Sequence, residues 1–113
     1  MAKPTQRTYS RYCRDAARLL GRLIRRGRIE KGLTAEALAE RAGISRGLLQ
    51  RIERGEMSCA IGAVFEAAAI VGVPLFEPEP SALAARVAEA GYTLSLLPGA
   101  VHGTADKDVK DDF

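Results

Sequence analysis

At 113 residues the chain has room for one small domain and a tail, since single domains commonly run to about 100–200 residues; an elaborate enzyme core does not fit. Apolar residues make up 47%, largely Ala, Leu, Ile and Val, with three Tyr, three Phe and no Trp, a mixture that favours interlocking helices over a sheet. The formal charge of +3 conceals a division. Residues 1–54 carry 14 basic and 5 acidic groups and residues 55–113 carry 3 and 9, so the halves stand at +9 and −6. A basic half of this kind suits a polyanion, because each phosphate neutralised by Lys or Arg releases condensed counterions.

Lys3, Pro4 and Arg7 lie in a stretch without apolar periodicity, so residues 1–9 read as a flexible basic arm. From Ser10 a helical pattern begins. It places Tyr12, Ala16, Leu19, Leu20, Leu23, Ile24 and Ile29 on one stripe and Arg14, Arg18, Arg22 and Arg25 off it. Gly21 and Gly27 are possible breaks in one long helix, and Gly32 stands where a left-handed C-cap belongs. Thr34 suits the N-cap of a second helix, Ala35 to Ala42, which Gly43 ends. Ile44 then points inward across the turn. Ser45 caps a third helix through about Arg54, with Leu49 and Ile52 inward and Arg46, Gly47, Leu48, Gln50 and Arg51 outward.

Gly55 stops that helix and Ser58 is expected to cap a fourth, whose apolar face comprises Ile61, Val64, Phe65, Ala68, Ala69 and Val71 before Gly72 and Pro74 end it. Glu77-Pro78-Glu79-Pro80 reads as an extended acidic connector. Ser81 should open a helix carrying Leu83, Val87 and Ala90 that Gly91 caps or breaks. Residues Tyr92 to Leu97 alternate weakly and fit either a short strand or a further helical turn. Residues 103–113, with four Asp and two Lys, read as a flexible acidic tail.

The fold class implied is all-α, a bundle of about five helices. The organisation is an arm (1–9), a basic helical domain (10–76), a C-terminal helical segment (77–102) and the tail (103–113). Cys13 and Cys59 lie far apart with no signal peptide ahead of them, which fits two ordinary buried thiols in a reducing, cytoplasmic setting better than a disulfide. The apolar run Ala67 to Val73 is far shorter than the ~20 residues that span a bilayer, so no membrane partner is expected. His102 is the sole histidine. Without a fixed nucleophile or a metal-ligand spacing near it or the cysteines, no catalysis, cofactor or metal is expected.

The stretch Gly32 to Gly55 resembles the Xre/Cro-type helix-turn-helix regulators: the Leu38-Ala39 pair, the Gly43-Ile44-Ser45 turn and the Ile52-Glu53-x-Gly55 ending stand at that family's spacing. The resemblance implies a lambda-repressor-like bundle whose third helix enters the major groove of double-stranded operator DNA. Ser45, Arg46, Gly47, Leu48, Gln50 and Arg51 would then lie on the bases. Arg46 suits guanine, Gln50 adenine and Leu48 a thymine methyl group. Thr34 and Ser58 at helix N-termini, with Arg25 and Arg54, would hold the DNA backbone. Ala35 stands where the family usually has Gln. Arg28 and Glu53 occupy the positions of a buried ion pair joining the first and third helices.

Flanking pieces are similar to HipB-type antitoxin regulators: Tyr9-Ser10 leading to Leu20-Gly21-Arg22-Leu23-Ile24, Ala60 to Glu66, Val71 to Phe76, Leu96-Leu97-Pro98 and Lys110 to Phe113. Basic residues expected after Pro98 are here Gly99, Ala100, Val101 and His102. This resemblance implies a homodimeric, autoregulating repressor partnered by a HipA-type kinase toxin. Asp111, Asp112 and Phe113 are candidate partner-binding residues, the aspartates for steering and the ring for anchoring. The alternatives are a stand-alone repressor without a toxin, or a protein-binding inhibitor whose DNA binding is secondary. Candidate dimer surfaces are the helix Ser81 to Ala90 and the segment Tyr92 to Leu97.

Overall fold

The computed structural model describes residues 8–101, and these form five helices: α1 (Arg11–Glu30), α2 (Ala35–Ala42), α3 (Arg46–Glu53), α4 (Ile61–Ile70) and α5 (Pro80–Ser95). Residues 1–7 of the expected arm and 102–113, including the whole tail, lie outside the described residues. The chain divides into one unit ending at Pro78 and a second beginning at Glu79.

Local chemistry sets the helix boundaries. Ser10 Oγ accepts from Cys13 N at 3.2 Å to start α1. At its end Gly32 (φ 72°) turns the chain so that Leu33 N donates to Arg28 O at 3.0 Å, satisfying a carbonyl the helix leaves open and pressing Leu33 against the core. The same closure recurs after α2, where Ile44 N donates to Ala39 O at 3.0 Å. It recurs again after α3 and α4, with Gly55 and Gly72 at positive φ. Neither Gly21 nor Gly27 breaks α1, which is continuous over 20 residues.

The core is Ile24, Leu38, Ala39, Leu49, Ile52, Ala67, Ala68 and Val71. It lies where α2 meets α3 and α4, with α1 laid across α3 and α4. Gly21 is what lets α1 approach so closely: a Cβ there would collide with the Ile52 carbonyl oxygen and lie 2.8 Å from that of Glu53. The long apolar stripe expected on α1 is therefore only partly inward. Ile24 is buried and Leu20 half-buried, whereas Tyr12 (84% exposed), Leu19 and Ile29 face out, and Cys13, beside Tyr12, is exposed rather than buried as expected. On α4 likewise Ala67, Ala68 and Val71 are buried, while Ile61 and Ala69 are exposed.

Ser58 does not cap α4. The N-cap is Ala60, which offers no side-chain oxygen. Cys59 packs against the core while Ser58 points out, so the chain completes an extra turn before helical geometry begins at Ile61. In the second unit α5 starts one residue before the expected Ser81, with Pro80 in the first turn, where its missing N–H costs no hydrogen bond. Gly91 neither caps nor breaks this helix. Residues 92–95 extend it, Leu96 is its C-cap, and Leu97 N donates to Leu94 O at 3.1 Å. No strand occurs among the described residues beyond an isolated bridge between Leu75 and Glu77, so the described chain is all-α.

Candidate nucleic-acid interface

Helix α3 is held by its ends. Ser45 Oγ accepts from Leu48 N at 3.0 Å, which fixes the first turn. At the other end Gly55 closes against α1, where a Cβ would lie 2.7 Å from Arg18 Cα. Glycine is required there twice over, by that contact and by a φ of 80°. Between the ends, Leu49 and Ile52 are buried, so the rest of the helix is oriented by its own anchors.

The outward arc carries Arg46, Gly47, Gln50, Arg51 and, at the C-cap, Arg54, all but Gly47 with polar side chains and every one exposed. Gly47 has no atom within 4 Å of where a Cβ would stand, leaving an open step beside Arg46. Leu48 departs from the outward position expected for it. It is half-buried against the core, because it lies roughly 40° round the helix from Ile52 at 100° per residue. A leucine so close to the anchoring row packs inward. Glu56 was not anticipated. Its carboxylate accepts from Arg54 Nη2 at 2.8 Å and stands 3.6 Å from Arg51 Nε. These side chains are substantially exposed, so the contacts order two guanidinium groups and add little stability.

A cleft of about 470 Å³ opens beside this arc, lined by Arg25, Ala35, Arg46, Gln50 and Arg54, with Arg28 and Glu53 also in its wall. Arg25 of α1 thus stands beside the outward arc of α3. Ala35 leaves its part of the wall without a polar group. Thr34 Oγ1 accepts from Ala37 N at 3.0 Å. The amides of the first turn of α4 have no side-chain acceptor from the N-cap.

Arg28 and Glu53 form a two-point pair: Nε donates to Oε2 at 2.7 Å and Nη2 to Oε1 at 3.1 Å. Nη1 donates to the Leu33 carbonyl at 3.0 Å. The side chains are 13% and 9% exposed, so the pair ties α1, α3 and the α1–α2 loop together beneath the surface. Hydrogen bonding to Glu53 holds the Arg28 pKa above the ordinary arginine value, against the opposing effect of burial, with the carboxylate charge adding to the rise. The pair is positional: it fixes the rotation of α3 about its axis. Asp111, Asp112 and Phe113 lie outside the described residues.

Among the described residues no group of three or more His, Cys, Asp or Glu is arranged to hold a metal ion. No helix among them is long and apolar enough to cross a membrane. The close approaches at Gly21 and Gly55 had no distinct sequence signal, because a glycine that admits a neighbouring helix looks like one that breaks its own.

No curated protein matches the chain. A solved structure, the clp gene regulator ClgR from Corynebacterium glutamicum, is similar at 26% identity over 71% of this chain and 88% of that one, with a TM-score of 0.46. A family model described as a helix-turn-helix domain matches residues 19–78, which takes in α1 from Leu19 through α4 and ends where the first unit ends. With α2, the Gly43 turn and the polar outward arc of α3 in place, the chain belongs to the helix-turn-helix domain family and is a DNA-binding regulator of transcription.

Proposed function

We propose that the protein is a sequence-specific repressor that binds double-stranded operator DNA as a homodimer, in the manner of Xre-type regulators. The observation that carries this reading is the outward arc of α3, polar and cationic from Arg46 to Arg54, on a helix whose opposite side is buried. In a major groove Arg46 and Gln50 supply the donor and acceptor patterns that read guanine and adenine edges, and the vacancy at Gly47 allows close approach. Arg25 and Arg54, with the N-terminal amides of α2, would hold phosphates, which position the helix without specifying sequence. The role is that of a non-enzymatic, cytoplasmic protein that needs no cofactor.

The finer reading is an autoregulating antitoxin of the HipB type with a HipA-type kinase as partner. Its support is the flanking sequence pieces and the acidic carboxyl-terminal residues ending in Phe113. DNA fragments selected by the purified protein should share a palindrome. Arg46→Ala or Gln50→Ala should then weaken the selected site by roughly 5- to 150-fold, as expected for loss of a bidentate base contact, with little change on random DNA. Failure to enrich any sequence above background contradicts the repressor reading.

A further inference from the structure

Glu56 follows the glycine that ends α3, and the backbone fixes its place. Gly55, at φ 80° and wedged against α1, turns the chain so that Glu56 N donates to the Arg51 carbonyl at 3.1 Å. That bond is the longer of the two closures at a helix C-terminus, so Glu56 lies beside Arg51 whatever the two side chains do. The carboxylate then divides its oxygens. Oε2 accepts from Arg54 Nε at 3.2 Å and Nη2 at 2.8 Å, and Oε1 faces Arg51 Nε at 3.6 Å. Arg51 is thus approached at the nitrogen nearest its chain, and the two terminal nitrogens, which donate side by side to a guanine, are not the ones in that contact. Four residues before Arg51, on the same face of the helix, Gly47 has nothing within 4 Å of where a Cβ would stand. No side chain at that step separates Arg51 from the end of α3 that carries Arg46.

We propose that Glu56 is a positioning residue for base recognition: by restraining Arg51 it fixes where that guanidinium meets the bases, and so sets part of the sequence preference. The inference rests on the reading of α3 given above and adds to it a residue that touches no base. Immobilising a free, rotamer-rich side chain on binding lowers affinity by about 2- to 13-fold. A guanidinium already held loses less on the base it fits and cannot swing to meet the others, so the restraint acts on discrimination. Charge acts in the opposite direction on affinity. A carboxylate at the edge of a DNA face repels phosphates of every sequence, so Glu56 lowers general affinity while it sharpens selection. The Arg51 and Glu56 side chains are 44% and 39% exposed, and a pair so exposed adds little to stability. Its effect is therefore read in binding and not in folding.

The test titrates the full chain by fluorescence anisotropy against the DNA fragment it selects, against that fragment with each base pair replaced in turn, and against random DNA. Arg51→Ala should flatten discrimination at one position of each half-site. Glu56→Ala should reduce discrimination at that same position by roughly 2- to 13-fold, raise affinity for random DNA and leave the thermal midpoint unchanged. Combined with Arg51→Ala, Glu56→Ala should still raise affinity for random DNA but have no further effect on base preference, a coupling that a merely structural role does not produce. Glu56→Ala that keeps full discrimination at the Arg51 position, or that relaxes every position equally, overturns the proposal and leaves the repressor reading standing. So does Arg51→Ala that relaxes no position. A wild type that selects no sequence overturns the repressor reading itself, and the positioning role with it.

Discussion

Replacing Glu53 with alanine leaves the Arg28 guanidinium with one protein acceptor, the Leu33 carbonyl, in place of three contacts. The Arg28 side chain is 13% exposed, so water compensates only in part. Removing one partner of a buried pair costs about 3–5 kcal/mol, and the surviving carbonyl bond and residual solvent contact place this case near 3. A domain of this size has a total stability of roughly 4–10 kcal/mol at about 0.05–0.15 kcal/mol per residue. The substitution thus removes about three-tenths of it or more. At about 4–8 °C per kcal/mol the thermal midpoint should fall by roughly 12–24 °C, read by far-ultraviolet circular dichroism. The double substitution Arg28→Met with Glu53→Leu should recover much of the loss, because apolar side chains of similar volume need no partner. A Glu53→Ala melt within about 2 °C of wild type, or a double variant less stable than the single one, refutes the argument that an orphaned guanidinium is what costs stability.

Two further outcomes follow from geometry. Gly21→Ala should lower stability by about 1–3 kcal/mol even though alanine is the better helix former, since the new methyl group meets backbone oxygens of Ile52 and Glu53 that cannot rotate away. An unchanged or raised urea midpoint contradicts the close packing of α1 on α3. Arg25→Ala and Arg54→Ala should each weaken specific and random DNA alike and reduce the slope of log affinity against log salt by about 1. Anisotropy titrations at several salt concentrations measure this, and a changed base preference would show that these arginines do more than hold phosphate.

The sequence alone determined what depends on a few neighbouring residues. Ser10, Thr34 and Ser45 start helices because a hydroxyl reaches an amide three residues on. Gly32, Gly43, Gly55 and Gly72 end them because their backbones enter the left-handed region. These dihedral and capping preferences operate within one turn and are legible without knowing what lies across the core. The fold class, the helix order and the polar character of α3 were readable for that reason. Arg28 and Glu53 became a candidate pair through family resemblance, and the distances are the work of the fold.

Tertiary structure decided which apolar residues are inside. The stripe on α1 was one pattern in sequence, yet α3 and α4 cover only its Leu20–Ile24 side and leave Tyr12 and Leu19 in solvent. Leu48 turned inward because Ile52 beside it is anchored. Ser58 lost the N-cap because Cys59 packs on the core and delays the helix to Ile61. Gly21 and Gly55 proved to be points of helix contact, and Gly91 an uninterrupted part of α5. Each of these outcomes turns on a partner distant in the chain, or on the balance between a weak local signal and the element around it. A periodic pattern states that a face exists, and only the arrangement of the other helices states what covers it.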